Sequence, residues 1–325
     1  MRSIFKIIAL VIFLFPGGII RAQQIQQYSQ YMINQFVLNP AIAGTEGFLD
    51  IYLGYRNQWT GFEGAPVTYY ISAHKAVGRE SKYIQKKKIR RYWHGIGVQV
   101  FRDQTGPLKR TSVLGAYAYN FPVSKETRVS VGSFFGFKQL RTDSDYWKNI
   151  DDDTDALFNR SLNTGLIPDF QFGAVLYNPL YFVTLAVSPI LNNDISFRNL
   201  DRNSEVFYGR YNRHVFLSSG VIFQPRSDLK ITPSVMLKYV QYAPLSMDLN
   251  VKITQYDKYW YGCSFRMLEA VNVFGGLDIG KMFCVSYAYE WSITAIRKYN
   301  YGSHEIILGM KVPPPRKIVC PSKYW

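Results

Sequence analysis

Three cysteines in 325 residues, Cys263, Cys284 and Cys320, are too sparse to staple a fold, and the absence of a CxxC pair leaves no zinc spacing. Beyond residue 22 there is no run of 18 apolar residues. Even Leu180 to Leu191 is broken by Thr184, Ser188 and Pro189, which excludes helical membrane spans. No GxSxG elbow accompanies the four histidines, His74, His94, His214 and His304, which therefore read as polar residues at a rim. GxGxxG does not occur as a strand-to-helix phosphate turn, and the pair Gly275-Gly276 sits inside a strand pattern, where glycine permits curvature or close approach. Asp151, Asp153 and Asp155 have the alternate spacing that opens a calcium loop. Ala156 stands where that loop needs Gly and Leu162 where it needs a bidentate Glu, so the stretch reads as a solvated acidic loop. The expectation is a protein without enzymatic activity, cofactor or metal.

What is present points to export. Arg2 and Lys6 precede an apolar stretch from Ile7 to Phe15, and a small residue follows at Ala22, the layout of a secretory signal peptide. The apolar run is shorter than the roughly 20 residues of a membrane helix, which disfavours an uncleaved anchor and predicts a mature start at Gln23. The formal charge is +15, or +12 without the three cations of the first 22 residues. In an exported chain such a balance suits lipid phosphates, an acidic partner or a solvated surface, and nucleic acid is in the wrong compartment. Aromatic residues make up 16% of the chain, with 25 Tyr and 22 Phe. Rings with one apolar and one wet end suit a membrane interface, although a soluble carbohydrate-binding sandwich is also rich in Tyr.

Period-two alternation decides between these classes. Leu245, Met247, Leu249, Val251 and Ile253 alternate with Ser246, Asp248, Asn250, Lys252 and Thr254. Leu49, Ile51, Leu53 and Tyr55 alternate with Asp50, Tyr52, Gly54 and Arg56. A segment of about ten residues with one lipid-like and one wet face, repeated between turns, is the signature of a transmembrane barrel. The pattern predicts fourteen strands near 48–58, 66–75, 92–103, 109–121, 126–141, 163–177, 179–190, 213–224, 228–242, 245–255, 258–267, 270–280, 282–292 and 302–312. Lys230, Lys238, Asp248, Lys252, Asp278 and Glu290 are expected to face the lumen. With both termini periplasmic, the long connections 142–163, 192–212 and 292–301 fall outside and the short ones at 177–179, 224–228 and 280–281 inside, as such barrels require. The resulting plan is all-β: a signal peptide 1–22, a periplasmic or lumenal segment 23–47, an antiparallel outer-membrane barrel 48–312 and a tail 313–325 after the Pro313-Pro314-Pro315 break. Fourteen strands lie between the eight whose interior is filled by side chains and the sixteen that leave a channel.

Four stretches share one family's pattern: QYSQYMINQFVLNPAIAG (27–44), YRNQWTGFEGAP running into VTYYISAH (55–74), GSHEIILGMKV (302–312) and the terminal CPSKYW (320–325). Together they resemble the PorP/SprF family. The resemblance implies an outer-membrane barrel of type IX secretion that supports export or surface attachment of large adhesins and, in gliding bacteria, motility. Its implied partners are other secretion-system proteins, an exported adhesin and outer-membrane lipid. A diffusion channel is the competing reading.

Two regions stand out as candidate contact sites. The uncharged segment 23–44 would expose Met32, Phe36 and Leu38 to water unless it docks, into the lumen or onto a partner. Asn39-Pro40 and Gly44 read as turns ending a periplasmic lead-in, and Trp59 and Phe62 as aromatics of an interface loop after the first strand. The connection 78–91 is long for the periplasmic side and carries Lys86, Lys87, Lys88, Arg90 and Arg91. It is either a solvated charge run or an electrostatic contact for an acidic subunit.

Overall fold

The computed structural model of the chain describes residues 28–79, 92–142, 166–191, 193–199, 204–241 and 243–313. The signal-peptide stretch, the basic cluster Lys86 to Arg91, the acidic loop around Asp151 to Asp155, Cys320 and Trp325 lie outside these residues. Among the described residues no helix is long and apolar enough to cross a membrane.

The strands are β1 (Leu49–Asn57), β2 (Val67–Val77), β3 (Trp93–Thr105), β4 (Leu108–Pro122), β5 (Arg128–Thr142), β6 (Ile167–Tyr177), β7 (Tyr181–Ser188), β8 (Asp194–Asn199) and β9 (Ser204–Arg210). They continue with β10 (His214–Val221), β11 (Phe223–Arg226), β12 (Leu229–Val240), β13 (Ser246–Gln255), β14 (Tyr259–Arg266), β15 (Ala270–Ile279), β16 (Phe283–Ser292) and β17 (Ser303–Val312). Every neighbouring pair is antiparallel. β1 meets β17 from Leu49 opposite Val312 to Asn57 opposite His304, and β10 meets β12 from His214 opposite Val240 to Gly220 opposite Ser234. These pairings close β1–β7, β10 and β12–β17 into a fourteen-stranded barrel, so no edge is left open to hydrocarbon.

Each predicted strand is present, with two local differences. The stretch 213–224 is interrupted at Ile222, whose amide bonds to the Leu180 carbonyl, and β11 then extends beyond the break. The outer connection 192–212 contains a hairpin, β8–β9, that pairs only with itself. Its strands of six and seven residues fall short of the 9–11 needed to cross a bilayer.

The period-two pattern partitions two solvents. Outward residues such as Leu53, Ile71, Val113, Phe135, Leu249 and Leu308 are exposed, as a lipid-facing wall requires. Inward residues such as Asp50, Arg56, Gln99, Asp248, Glu290 and Glu305 are buried. Burial so far inside a barrel of this size needs a filler, and residues 28–48 supply it: the chain runs within the lumen before emerging as β1. Ring pairs mark the rims of the wall. Tyr55–Tyr69 and Tyr289–His304 lie at the outer end, and Tyr92–Tyr119 and His94–Tyr119 at the inner end.

Candidate functional site

The lumenal segment is compact without being a regular helix. Two 3-10 turns, Gln35–Val37 and Pro40–Ile42, carry it, the second capped by the Asn39 side chain, which accepts from the Ala41 amide at 2.9 Å. Asn39 and Pro40 do make a turn, and Gly44 has the positive φ of one, but they lie in the lumen and at its inner mouth, which corrects their placement in a periplasmic lead-in. The uncharged sequence explains the location, because Phe36, Ala41, Ile42 and Ala43 are almost wholly removed from solvent there.

Residues 28–31 are held by charge. Arg56 reaches Glu290 at 3.1 Å and Glu305 at 3.4 Å, Arg266 reaches Glu290 at 3.3 Å and Asp248 at 3.4 Å, and Lys238 reaches Asp248 at 2.6 Å. The network therefore joins β1, β17, β16, β14, β13 and β12. Ser29 enters its centre: its amide donates to Glu305 at 2.6 Å, its hydroxyl to Glu290 at 2.8 Å, and Arg56 contacts the same hydroxyl. Asn272 donates to the Ser29 carbonyl at 2.8 Å, Gln30 donates to the Glu305 carbonyl at 3.0 Å, and Tyr31 contacts Asn250. Burial raises the Tyr28 and Tyr31 hydroxyls above the ordinary tyrosine value, with Asp103 and Glu305 adding to the effect at Tyr28 and Asp248 at Tyr31. Both remain neutral hydroxyls. Charges in such a setting are costly unless each is paired, and here Glu290, Glu305 and Asp248 each lie against at least one of Arg56, Arg266 and Lys238.

Residues 36–45 are held by shape. The Phe36 ring packs against His74 at 4.7 Å and Phe134 at 5.1 Å between centroids, so His74 is a buried wall residue and not part of a polar rim. Glycines on the facing strands make room: a Cβ on Gly97 would come 2.6 Å from the Phe36 ring, and one on Gly132 would come 2.9 Å from the Ala41 amide nitrogen. Asn39 donates to the carbonyls of Ala174 and Leu185 at 3.3 and 3.1 Å, reaching both β6 and β7. At the inner mouth Trp93 donates to the Gly44 carbonyl at 2.7 Å, with the Arg79 and Arg128 guanidinium groups over its ring. Arg79, at the base of the basic connection, also donates to the Thr45 carbonyl at 3.0 Å. Among the described residues, a space of about 70 Å3 between segment and wall, near Phe36, His74, Lys252 and Trp260, has room for a few waters.

Of the residues singled out in the sequence, Met32 and Phe36 are buried and Leu38 half-buried in this lumenal segment. Trp59 and Phe62 lie on the outer β1–β2 loop, where Trp59 is half-buried and Phe62 exposed. That loop is tied to the β16–β17 loop through Thr60 and Gly302 at 2.8 Å and to the β3–β4 turn through Gly106 and Gly64 at 2.8 Å. The structure does not bring it together with the lumenal residues. The six predicted lumen-facing residues do point inward. Arg266 and Glu305, central to the network, had not been singled out; their inward register on β14 and β17 was the available signal. Among the described residues no group of three or more His, Cys, Asp or Glu side chains converges on a metal-sized site, and Cys263 and Cys284 form no disulfide.

The family described as type IX secretion system membrane protein PorP/SprF matches residues 20–310 of this chain. No curated protein matches its sequence. Solved structures similar in fold include a TodX deltaS2S3 mutant monoaromatic hydrocarbon channel, with 8% identity, a TM-score of 0.50 and coverage of 86% of this chain and 94% of that one. The Ralstonia pickettii toluene transporter TbuX is 10% identical, with a TM-score of 0.46 and coverage of 85% and 92%. The Acinetobacter baumannii outer membrane protein Omp33 is 8% identical, with a TM-score of 0.45 and coverage of 83% and 100%.

Proposed function

The chain belongs to the PorP/SprF family of type IX secretion system membrane proteins, and from that premise we propose that it acts by binding rather than by conducting. In this reading it is a non-enzymatic outer-membrane platform that supports export or surface anchoring of a large adhesin, and through it gliding motility. One observation carries the reading: the lumen is occupied by the protein's own N-terminal segment, gripped from both sides of the wall. A barrel filled this way offers its mouths and loops to other secretion-system components.

Deleting the gene tests the proposal. The expected result is loss of surface adhesin and its accumulation inside the cell; unchanged surface adhesin would sink the reading. A diffusion channel is the alternative, and planar-bilayer recording separates the two. The purified barrel is expected to be silent, whereas a large steady conductance would favour a porin.

The inner mouth supplies the contact in this proposal. Lys86, Lys87, Lys88, Arg90 and Arg91 follow Arg79, which is fixed onto the Thr45 carbonyl and the Trp93 ring. A cationic connection rooted there suits an acidic periplasmic subunit, and exposed charges are screened beyond about 8 Å at physiological ionic strength. Charge reversal, Lys86→Glu with Lys87→Glu and Lys88→Glu, is expected to weaken salt-sensitive co-purification of that subunit while the barrel stays inserted. Cleavage of the connection by protease added to intact cells would place it outside and end this part of the proposal.

A further inference from the structure

Strand β2 measures the path of the lumenal segment. Its inward residues, counted from the outer end, are Thr68, Tyr70, Ser72, His74 and Ala76, and successive ones lie about 7 Å apart along the strand. Four of them meet the segment in turn. The Tyr28 ring packs edge-on against Tyr70 at 5.3 Å, Asn34 donates to the Ser72 hydroxyl at 2.9 Å, and the Phe36 ring lies on His74 at 4.7 Å. At the last, a Cβ on Gly44 would come 3.0 Å from the Ala76 Cα. Residue number in the segment therefore rises steadily from the outer end of the wall to the inner one.

The rest of the wall agrees. Ser29 is bonded to Glu290 and to Glu305, the third residue of β17, and touches Arg56, the last residue but one of β1; these positions lie at the outer ends of their strands. At the other end of the segment, Trp93, the first residue of β3, donates to the Gly44 carbonyl, and Arg79, just past β2, donates to the Thr45 carbonyl. A chain that turned back at Tyr28 toward the inner mouth would have to pass beside a segment already in contact with both sides of the wall. Asn250 and Asn272 hold it on β13 and β15, whereas on β5 and β6 a Cβ at Gly132 or Gly173 would collide with it at 2.9 or 1.9 Å.

We propose that the polypeptide preceding Tyr28 leaves through the outer mouth, so that the plug presents its N-terminal end at the cell surface as a contact for partners there. Among the inward residues of β2, Thr68 alone stands above Tyr28, a rise of about 7 Å. With a mature start at Gln23, five residues precede Tyr28, and extended they reach about 17 Å. The expectation that both termini are periplasmic then fails for the N-terminus. Gln23, Gln24, Gln26 and Gln27 offer amide donors and acceptors without charge, so the contact is a hydrogen-bonded one and insensitive to salt. A partner outside the cell can grip this end and one in the periplasm cannot, because the other end of the plug continues into β1 at the inner mouth. This topology requires neither an adhesin nor an acidic subunit, and it stands apart from the roles above.

Labelling of intact cells with a membrane-impermeant maleimide provides the test, using the full-length chain with Cys263, Cys284 and Cys320 replaced by Ser. In that background Gln26→Cys is expected to react as Glu63→Cys on the outer β1–β2 loop does, whereas Ser227→Cys at an inner turn reacts only once the outer membrane is permeabilised. Loss of the buried Cys284 thiol can weaken the barrel, so a second measurement leaves every native residue in place. An epitope tag inserted between Gln24 and Ile25 is expected to bind its antibody on intact cells. Reaction of Gln26→Cys in step with Ser227→Cys, reaction only after the barrel is denatured, or antibody binding confined to permeabilised cells would each overturn the assignment.

Discussion

The two ends of the lumenal segment are held by opposite physics. Residues 28–31 sit among Arg56, Arg266, Glu290 and Glu305, where hydrogen bonds and ion pairs fix position and any unmatched charge is expensive. Residues 36–45 sit among Phe134, Gly97, Gly132 and Val175, where close packing and glycine clearances do the fixing. The first arrangement is directional and depends on each partner; the second depends on volume. A segment held in both ways is specified in register by one end and anchored by the other. This suits a plug whose position in the lumen is unique.

The largest effect is expected from Arg56→Ala, which leaves Glu290 and Glu305 buried without their shared cation and should destabilise the plugged barrel by about 3–5 kcal/mol. Hydrogen exchange would then report early opening of residues 28–31 ahead of 36–45. Simultaneous opening of both stretches would erase the distinction drawn here. Phe36→Ala should cost about 3 kcal/mol through the cavity it leaves and loosen 36–45 first, measured in the same way. Asn39→Ala removes the donor shared by Ala174 and Leu185 together with the cap of the second turn, for about 2 kcal/mol in denaturant midpoint analysis. Trp93→Phe keeps the ring under Arg79 and Arg128 but loses the bond to the Gly44 carbonyl. About 1 kcal/mol is expected, visible as faster proteolysis at the inner mouth. The finest test is a cycle: Arg56→Ala and Phe36→Ala combined should be additive within about 0.5 kcal/mol if the two ends act independently. A larger coupling would mean that the segment releases as one body.

Much of this was legible in the sequence because side-chain direction in a strand depends only on parity. Alternation gave the fourteen strands and placed Lys238, Asp248 and Glu290 on the wet face before any pairing was known. Arg56 could be placed on that face too, in step with Asp50, Tyr52 and Gly54. Its partners could not be read. Glu305 lies 249 residues away, and the two meet only because β1 pairs with β17 when the barrel closes. The lumenal segment offered less, since its two 3-10 turns are shorter than any helical or strand period and its one clear signal was apolar residues without charge. That signal demanded burial somewhere without saying where. The hairpin β8–β9 and the interruption at Ile222 were hidden for a related reason, because short stretches of alternation do not announce which partner they pair with.

The sequence by itself determined what is local: the period of two, the turns that end each segment, and the lack, beyond residue 22, of any apolar run long enough for a helical span. Tertiary structure alone decided that residues 28–48 occupy the lumen and that Arg56, Glu290 and Glu305 converge on Ser29. The physical reason is that parity fixes which face a side chain takes, whereas its neighbours on that face follow from closure and register. These are properties of the whole sheet that no single segment carries.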